Sequence, residues 1–204
     1  MRLILASGSP RRRELISTLG IPFEVIKSDI DETQHTNEAP FDYVERLSIE
    51  KAHAVALKTG DSLPILAADT IVVLGAEANG VDEQGEILGK PADADEARTM
   101  LKRLRGRAHL VCTAVTLYRG GDDPKQLTQR AVTTVTMRDY SDAEMDAYIA
   151  SGDPFDKAGS YAIQNEAFAP VECIDGDYNN VVGLPLEMVK PMLSAFGFLF
   201  SADS

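Results

Sequence analysis

The fold is decided near the N-terminus by the stretch Leu3-Ile4-Leu5-Ala6-Ser7-Gly8-Ser9-Pro10-Arg11-Arg12-Arg13. Its apolar beginning predicts a short buried strand. Gly8 tolerates the tight turn that follows, and Ser9 and Pro10 are favoured as the N-cap and the first residue of a helix. The sequence therefore predicts a strand, a turn and a helix that ends at Gly20.

The three arginines of this stretch fall in the first helical turn, at the positive end of the helix dipole. Cations there are disfavoured by a few tenths to about 1 kcal/mol each. A bound polyanion would reverse this cost, because a helix N-terminus already binds anions and guanidinium groups fit phosphate oxygens. The pattern predicts a phosphate-binding turn; the other interpretation is an exposed basic turn paired with acidic neighbours.

The composition is that of an acidic globular protein. The chain has 204 residues, 44% of them hydrophobic, and a net charge of -12. This size suits one domain, or two small lobes that share a sheet. The acidity argues against nucleic acid and anionic membranes as partners. No apolar run approaches a membrane span and the chain leads directly into a strand, so we expect a cytoplasmic enzyme without a signal peptide.

The two cysteines give no sign of a metal site. Cys112 and Cys173 lie far apart in apolar contexts, and no CxxC or Cys/His metal spacing occurs. We expect both to be buried thiols and not a disulfide.

Two charged residues stand in apolar surroundings. Lys51 follows Val44 by seven residues in a predicted helix over 40–58, so it falls near the apolar stripe and either snorkels to the surface or points into a site. Asp69 lies in the middle of the apolar run 64–74, which predicts a central strand buried on both faces. A carboxylate there must be paired, hydrogen-bonded or bound to a cation. It either caps a bulge or turn or, as we favour, belongs to a functional site.

The remaining pattern predicts alternating strands and helices. The acidic segment 28–33 is a loop whose carboxylates are either solvated or available to a metal ion. Pro191 should kink the last helix or confine it to short pieces. The other predicted elements are strands at 21–26, 86–88 and 171–174, helices at 93–105 and 141–150, a long hairpin loop at 75–85, an antiparallel pair of strands at 108–119 and 127–137, and a loop at 156–164.

Five motifs, in this order, resemble the Maf family of nucleoside triphosphate pyrophosphatases, also called septum formation proteins. They are Leu5-Ala6-Ser7-Gly8-Ser9-Pro10-Arg11-Arg12, Ala68-Asp69-Thr70-Ile71-Val72, Gly89-Lys90-Pro91, Asp156-Lys157-Ala158-Gly159-Ser160-Tyr161-Ala162-Ile163-Gln164 and Val182-Gly183-Leu184-Pro185. Each motif alone is weak, but the ordered set is specific and covers nearly the whole chain.

The resemblance implies a single domain over residues 1–204, with an α/β fold similar to that of the inosine triphosphate pyrophosphatases. In that fold a long, mixed, twisted sheet with flanking helices forms two lobes around a cleft, and the family is often dimeric. Asp-Thr in the central strand and Tyr-x-Ile-Gln near the end look like the dTTP/UTP branch; a sister branch prefers 7-methyl-GTP. This sequence departs from the family pattern at Asn165, where glycine is usual, and in a longer connection after Leu74.

The resemblance also implies roles for particular residues. Asp69 matches the proton acceptor and, with Glu32, a ligand set for Mg²⁺ or Mn²⁺. Substrate selection falls to Arg11, Thr70 and Gln164. The positions expected around the phosphates are Ser7, Ser9, Arg11, Arg12, Lys51, Lys90 and Lys157.

These residues suit cleavage between the α and β phosphates. The reaction needs charge neutralisation, an activated water and a pyrophosphate group held in line, and arginines, lysines and a divalent cation supply charge. Gln164 can both donate to and accept from a pyrimidine ring. The resemblance further implies a role in clearing modified nucleotides and a link to cell-division arrest. A non-catalytic nucleotide sensor in division control is the other class; it would need no carboxylate at Asp69. A P-loop phosphotransferase is set aside because GxxxxGK[ST] is absent.

Overall fold

A mixed sheet organises the chain, whose computed structural model describes residues 1–60, 63–75 and 85–200. In these residues the strands are β1 (Leu3–Leu5), β2 (Phe23–Val25), β3 (Ile65–Leu74), β4 (Glu86–Leu88), β5 (Ala108–Arg119), β6 (Lys125–Met137) and β7 (Val171–Asp175). The strand order is β2-β1-β3-β5-β6-β7, with β4 paired to β3. β1 pairs in parallel with β2 and β3, whereas β4 and β7 are antiparallel to their partners.

Helices connect most of these strands, as expected of an α/β protein. They are α1 (Pro10–Ser17), α2 (Pro40–Thr59), α3 (Ala94–Leu104), α4 (Asp142–Ala150), α5 (Tyr178–Val182) and α6 (Leu186–Ala195), with single 3₁₀ turns at Asp153–Asp156 and Ala158–Ser160. No helix of the described ranges is long and apolar enough to cross a membrane.

Contacts divide the chain into two compact units, and β3, β5 and β6 each contribute to both. The first unit comprises Met1–Asp69, Thr113–Ala131 and Gly183–Ser204. The second comprises Thr70–Cys112 and Val132–Val182.

The core of the first unit follows from the two-residue period of its strands. Leu3, Leu5, Leu66 and Ala68 pack on one side of the sheet with α6, in a cluster that includes Val189. The intervening positions of β1 and β3 point to the other side, where they pack with the α2 residues Ala52, Val55 and Ala56. Asp69 has the same parity as Ile65 and Ala67, so the alternation places its side chain on the α2 side of the sheet.

The core of the second unit lies between its strands and helices α3 and α4. It contains the buried side chains of Leu101, Met145 and Tyr148, together with Tyr161 and Phe168 from the segment that follows α4. The rings of Tyr148 and Phe168 are stacked with centroids 4.4 Å apart. This aromatic packing fixes the segment that carries Gln164.

Most predicted elements are confirmed, including the N-cap at Ser9, whose side chain accepts from the Arg12 amide. The capping box of Ser141 and Glu144 is also present. β5 and β6 are neighbours in the sheet. Within the predicted loop 75–85, residues 76–84 lie outside the described residues.

Two predictions need correction, and one helix was missed. Cys112 is buried as expected, but Cys173 is exposed; neither forms a disulfide. The prediction for Cys173 was wrong because β7 is the last strand in the order and Cys173 pairs with Thr136, on the face opposite to the core pair of Val135 and Ile174. The short helix α5 was not predicted. Helix α6 continues through Pro191 as one ten-residue helix and is not broken into short pieces.

Candidate active site

The turn after β1 is held by its own serine side chains. Ser7 Oγ accepts the Ser9 amide at 3.1 Å, and Ser9 Oγ accepts the Arg12 amide at 3.4 Å. Each hydroxyl keeps its proton as a donor while its oxygen accepts. Pro10 occupies the first turn of α1 and lacks an N–H there. The turn therefore combines hydroxyl donors with the N-terminus of a helix.

Arg12 is anchored to the segment that precedes α6. Its Nε donates to the carbonyl oxygen of Gly183 at 2.8 Å. Burial lowers the pKa of Arg12; Asp69 and Glu32 act in the opposite direction, whereas Arg11 adds to the decrease. Arg11 is half-buried and Arg13 is exposed. The helix start thus directs Arg12 inward toward a carboxylate.

Lys27 is a cation near this turn that the sequence analysis did not single out. A Cβ placed on Gly8 would lie 3.1 Å from Cε of Lys27, so the lysine side chain runs alongside the glycine. The parallel register of β1 and β2 pairs Leu5 with Val25, which brings the residues after both strands to one edge of the sheet. The signal available in the sequence was that Lys27 directly follows the predicted strand 21–26, because parallel strands end on the same side of a sheet.

Asp69 and Lys51 form a buried ion pair. Nζ of Lys51 lies 2.6 Å from Oδ1 of Asp69 and 2.8 Å from Oε1 of Glu32. Both Lys51 and Asp69 are buried, at 7% and 8% exposure. Of the two interpretations of Lys51, snorkelling is wrong: the ammonium is directed into the protein.

The pKa of Asp69 is raised from its ordinary value. Burial is the largest cause and outweighs the opposing effects of Lys51 and Arg12, while Glu32 raises the pKa further. A carboxylate whose pKa is raised is a stronger base than an ordinary aspartate and is better suited to accept a proton from water. The surroundings of Asp69 therefore suit a general base.

The loop that contains Glu32 is hydrogen-bonded to α2, and this places the Glu32 carboxylate next to Lys51. The hydroxyl of Tyr43 donates to the carbonyl oxygen of Glu32 at 2.7 Å, and Nη2 of Arg46 donates to the carbonyl of Thr33 at 3.1 Å. Arg46 also binds both carboxylate oxygens of Glu38, at 2.6 and 2.9 Å. These bonds place one exposed carboxylate of the acidic loop beside the buried pair.

Glu32 and Asp69 are arranged so that they could share a divalent cation. Both carboxylates already converge on one positive atom, Nζ of Lys51, and oxygen is the ligand that Mg²⁺ and Mn²⁺ prefer. Among the described residues no group of three or more His, Cys, Asp or Glu side chains could hold a metal ion. A metal here would therefore depend on two protein carboxylates, with phosphate oxygens and water completing its shell, as Mg²⁺ sites commonly do.

The second unit carries Thr70, Lys90, Lys157 and Gln164. Thr70 is half-buried in β3, and Lys90 is exposed after β4. The amide of Gly159 donates to the carbonyl oxygen of Gly89 at 3.0 Å, which joins the Lys157 segment to the residue before Lys90. Gly159 has a φ of 69°, and a Cβ there would lie 3.0 Å from Val72. Only glycine fits this approach to β3.

Lys157 is buried with its ammonium surrounded by oxygens. Its Nζ donates to the carbonyl and Oδ1 of Asp153, at 2.6 and 2.8 Å, and to Oδ1 of Asp156 at 2.6 Å. These bonds use all three ammonium donors. The phosphate contact of Lys157 stays a prediction, and it would require one of these bonds to be exchanged.

Asn165 contributes bonds that glycine could not make. Its Nδ2 donates to Oδ2 of Asp153 at 3.1 Å, and its Oδ1 accepts the Phe168 amide at 2.8 Å. Burial raises the pKa of Asp153, but hydrogen bonds from Lys157, Tyr148 and Asn165 outweigh it, and the pKa is lowered overall. Asn165, the residue directly after Gln164, is thus bonded to the carboxylate that also binds Lys157.

Comparison with known structures defines the class of fold. The Ham1 protein of Coxiella burnetii is similar with a TM-score of 0.55 at 20% identity, covering 96% of this chain and 99% of that one. The Ham1 protein of Staphylococcus aureus is similar with a TM-score of 0.51 at 13% identity, covering 96% and 100%. At these identities the likeness concerns the fold, which is the Ham1-type α/β fold.

Comparison of sequences defines the family. The family model described as Maf-like protein matches residues 2–196, and this chain belongs to that family. A relative in Chromobacterium violaceum, named dTTP/UTP pyrophosphatase, is 46% identical over 97% of this chain and 96% of its own length. Relatives with the same name in Shewanella oneidensis and Symbiobacterium thermophilum are 46% and 45% identical, over 98% and 97% of this chain.

Proposed function

We propose that this protein hydrolyses dTTP and UTP between the α and β phosphates, releasing the monophosphate and pyrophosphate. The observation that carries the proposal is the buried carboxylate of Asp69, held 2.6 Å from Lys51 with a raised pKa, in a strand that also provides Thr70. Relatives that are 45–46% identical over nearly the whole chain and are named dTTP/UTP pyrophosphatase support the same substrates.

The residues of the first unit would bind the triphosphate and accept a proton. Arg11, Arg12 and the hydroxyls of Ser7 and Ser9 offer donors at a helix start, where anions are favoured. Asp69 accepts a proton from the attacking water as the bond to the α phosphorus forms and pyrophosphate leaves. Lys51 keeps the Asp69 carboxylate oriented and offsets negative charge that develops on the phosphates.

A divalent cation, Mg²⁺ or Mn²⁺, fits the pair of carboxylates. Glu32 and Asp69 would hold it, because both already converge on one cationic atom. When bound, it would supply positive charge to the phosphate oxygens and lower the pKa of a bound water. Lys51 would then have to shift from the position between the two carboxylates.

The base would be selected by Arg11, Thr70 and Gln164. Gln164 is exposed, and its amide can pair with both the donor and the acceptor on the edge of a thymine or uracil ring. Lys90 and Lys157 supply further positive charge in the second unit. We propose that the protein acts in the cytoplasm and as a homodimer. We also propose that it has no nucleic acid or membrane partners, because its net charge of -12 disfavours binding to these anionic partners.

A nucleotide panel tests the proposal. The purified protein is incubated with dTTP, UTP, 7-methyl-GTP and purine triphosphates in Mg²⁺ or Mn²⁺, and pyrophosphate and orthophosphate are measured separately. The proposal expects pyrophosphate from dTTP and UTP. A clear preference for 7-methyl-GTP would place the protein in the sister activity. Tight nucleotide binding without any pyrophosphate release would support the sensor class instead.

A further inference from the structure

His109 is a buried histidine that the proposed mechanism does not use. It lies in β5 with 1% of its surface exposed. Its Nε2 lies 2.8 Å from the hydroxyl oxygen of Tyr161, and the two rings meet edge to face with centroids 5.4 Å apart. Its Nδ1 is buried without a hydrogen-bond partner among the described residues. Burial lowers the pKa of His109 to about 4, so the imidazole is neutral at physiological pH.

Such a histidine is costly as a core residue. A buried polar atom without a partner loses its bonds to water and gains nothing in return, whichever tautomer the ring adopts. The neighbouring Leu110 and Val111 show that β5 accepts aliphatic side chains at buried positions. An aliphatic residue in place of His109 would avoid the unpaired nitrogen. What only the histidine provides is its bond to the Tyr161 hydroxyl.

Tyr161 begins the segment that presents Gln164. The preceding residues Gly159 and Ser160 have φ values of 69° and 63°, an unfavourable conformation for serine that its surroundings must maintain. The next amide, of Ala162, donates to the Tyr148 hydroxyl at 3.1 Å, and the Asn165 amide donates to the carbonyl of Ala162 at 3.2 Å. Two buried tyrosine hydroxyls therefore hold the segment on its core side: that of Tyr161, bonded to His109, and that of Tyr148, bonded to the Ala162 amide. Gln164, in contrast, is exposed.

We infer that His109 is a positioning residue for base recognition: by holding the hydroxyl of Tyr161, it fixes the segment 161–165 so that Gln164 meets the pyrimidine ring in one orientation. The inference rests on the proposed function, since it assigns base recognition to Gln164. It makes His109 a determinant of specificity that never touches the substrate. A preorganised amide binds more tightly than one that must be ordered on binding.

The test compares His109→Leu and Tyr161→Phe, singly and together, with Tyr140→Phe as the matched control. Tyr140 is buried in the same core, and its hydroxyl donates to the carbonyl of Leu101 at 2.7 Å, so the control removes a comparable bond elsewhere. Two readouts are used: hydrogen exchange of the Ala162 and Asn165 amides in the protein alone, and KM and kcat for dTTP, UTP and dGTP.

We expect faster exchange at Ala162 and Asn165 in both single variants, and a KM for dTTP raised about 10-fold with kcat within about 2-fold, the pattern of lost binding. The preference for dTTP over dGTP should fall. The double variant should be no worse than either single one, because both remove the same bond. His109→Gln, which keeps a polar group near Nε2, should restore part of the lost affinity. The control should change none of these values.

Unchanged exchange and unchanged KM in folded His109→Leu and Tyr161→Phe proteins would overturn the inference. If the His109→Leu protein does not fold, the exchange rates and KM of Tyr161→Phe test the inference alone, since that substitution removes only one oxygen atom. If the unaltered protein does not cleave dTTP, the proposed function fails. The exchange data then still report whether His109 holds the segment, so the two failures are distinguishable.

Discussion

Asp69 depends on Lys51 to remain a charged group inside the protein. Sequence reasoning placed both residues in apolar surroundings, because the strand run and the helical period were clear. It could not pair them, since 18 residues and a change of secondary structure separate them. The strand alternation that puts Asp69 on the α2 side was readable in principle, but the packing of α2 against that side was not.

The acid limb of the pH profile of kcat/KM should reveal the pairing of Asp69 with Lys51. Because the base form of Asp69 is deprotonated and its pKa is raised, kcat/KM should increase with pH through a pKa above the ordinary aspartate value of about 3.9. Lys51→Met removes a charge that lowers this pKa, so the limb should move to higher pH. Comparing the two proteins on the same substrate cancels the titration of the phosphates. An identical limb in both would separate Lys51 from the titration of Asp69.

Arg12 and Arg13 differ in their surroundings although they are neighbours in one turn. Arg12→Ala removes an inward guanidinium and its bond to Gly183, so KM for dTTP should rise at least ~10-fold, the scale of one charge-assisted hydrogen bond. Melting temperature should fall slightly for the same reason. Arg13→Ala, exposed in the same turn, is the control and should change neither value. Equal effects of the two substitutions would show that only overall charge matters.

At the scale of elements, the sequence predicted the features that a few adjacent residues determine, such as helix caps and helix ends. The N-caps at Ser9 and Ser141 and the ends of α2 were readable from a few adjacent residues. Helix α5 was missed although Asp177 supplies a cap, its Oδ1 accepting the Asn179 amide at 2.7 Å. The exposure of Cys173 depends on its register with β6, where it pairs with Thr136, and a single strand does not encode that register.

The Glu38–Arg46 bond at the start of α2 should make stability dependent on pH. Hydrogen bonds from Arg46 lower the pKa of Glu38 to about 2, below its usual 4.5. The stabilisation is therefore present above the unfolded pKa and is lost as the pH falls toward 2. Unfolding in urea should show Glu38→Gln less stable than the unaltered protein at pH 6, with the difference shrinking between about pH 4.5 and 2. A difference independent of pH would assign the effect to packing.

At the scale of the whole molecule, the ordered motifs predicted the family and the class of fold, and both are confirmed. The motif residues divide between the two units: Arg12, Lys51 and Asp69 belong to the first, Lys157 and Gln164 to the second. The expectation of one domain with two lobes around a cleft stays a prediction. So do the homodimer and the individual residue roles, because contacts made by substrate or partner are encoded only indirectly in one sequence.

Ligand binding should stabilise the protein as a whole. With a non-hydrolysable dTTP analogue at about 100 times its Kd, the free energy of unfolding should rise by about 2.7 kcal/mol. Mg²⁺ should increase the effect if Glu32 and Asp69 hold the cation, and Glu32→Gln should reduce that increase. The melting temperature measured with and without each component checks this. No stabilisation by the analogue with either metal ion would contradict the assignment of a nucleotide site.

The central claim is that Asp69 accepts the proton in nucleotide hydrolysis, and Asp69→Asn tests it most directly. Turnover of dTTP should fall at least ~100-fold, the scale of a lost general base, while exposed Asp122→Asn should leave it unchanged. Melting in a chelator should still show a folded Asp69→Asn protein with a modestly lower melting temperature, because Lys51 loses its buried partner but keeps Glu32. Near-normal turnover by folded Asp69→Asn protein would contradict the account.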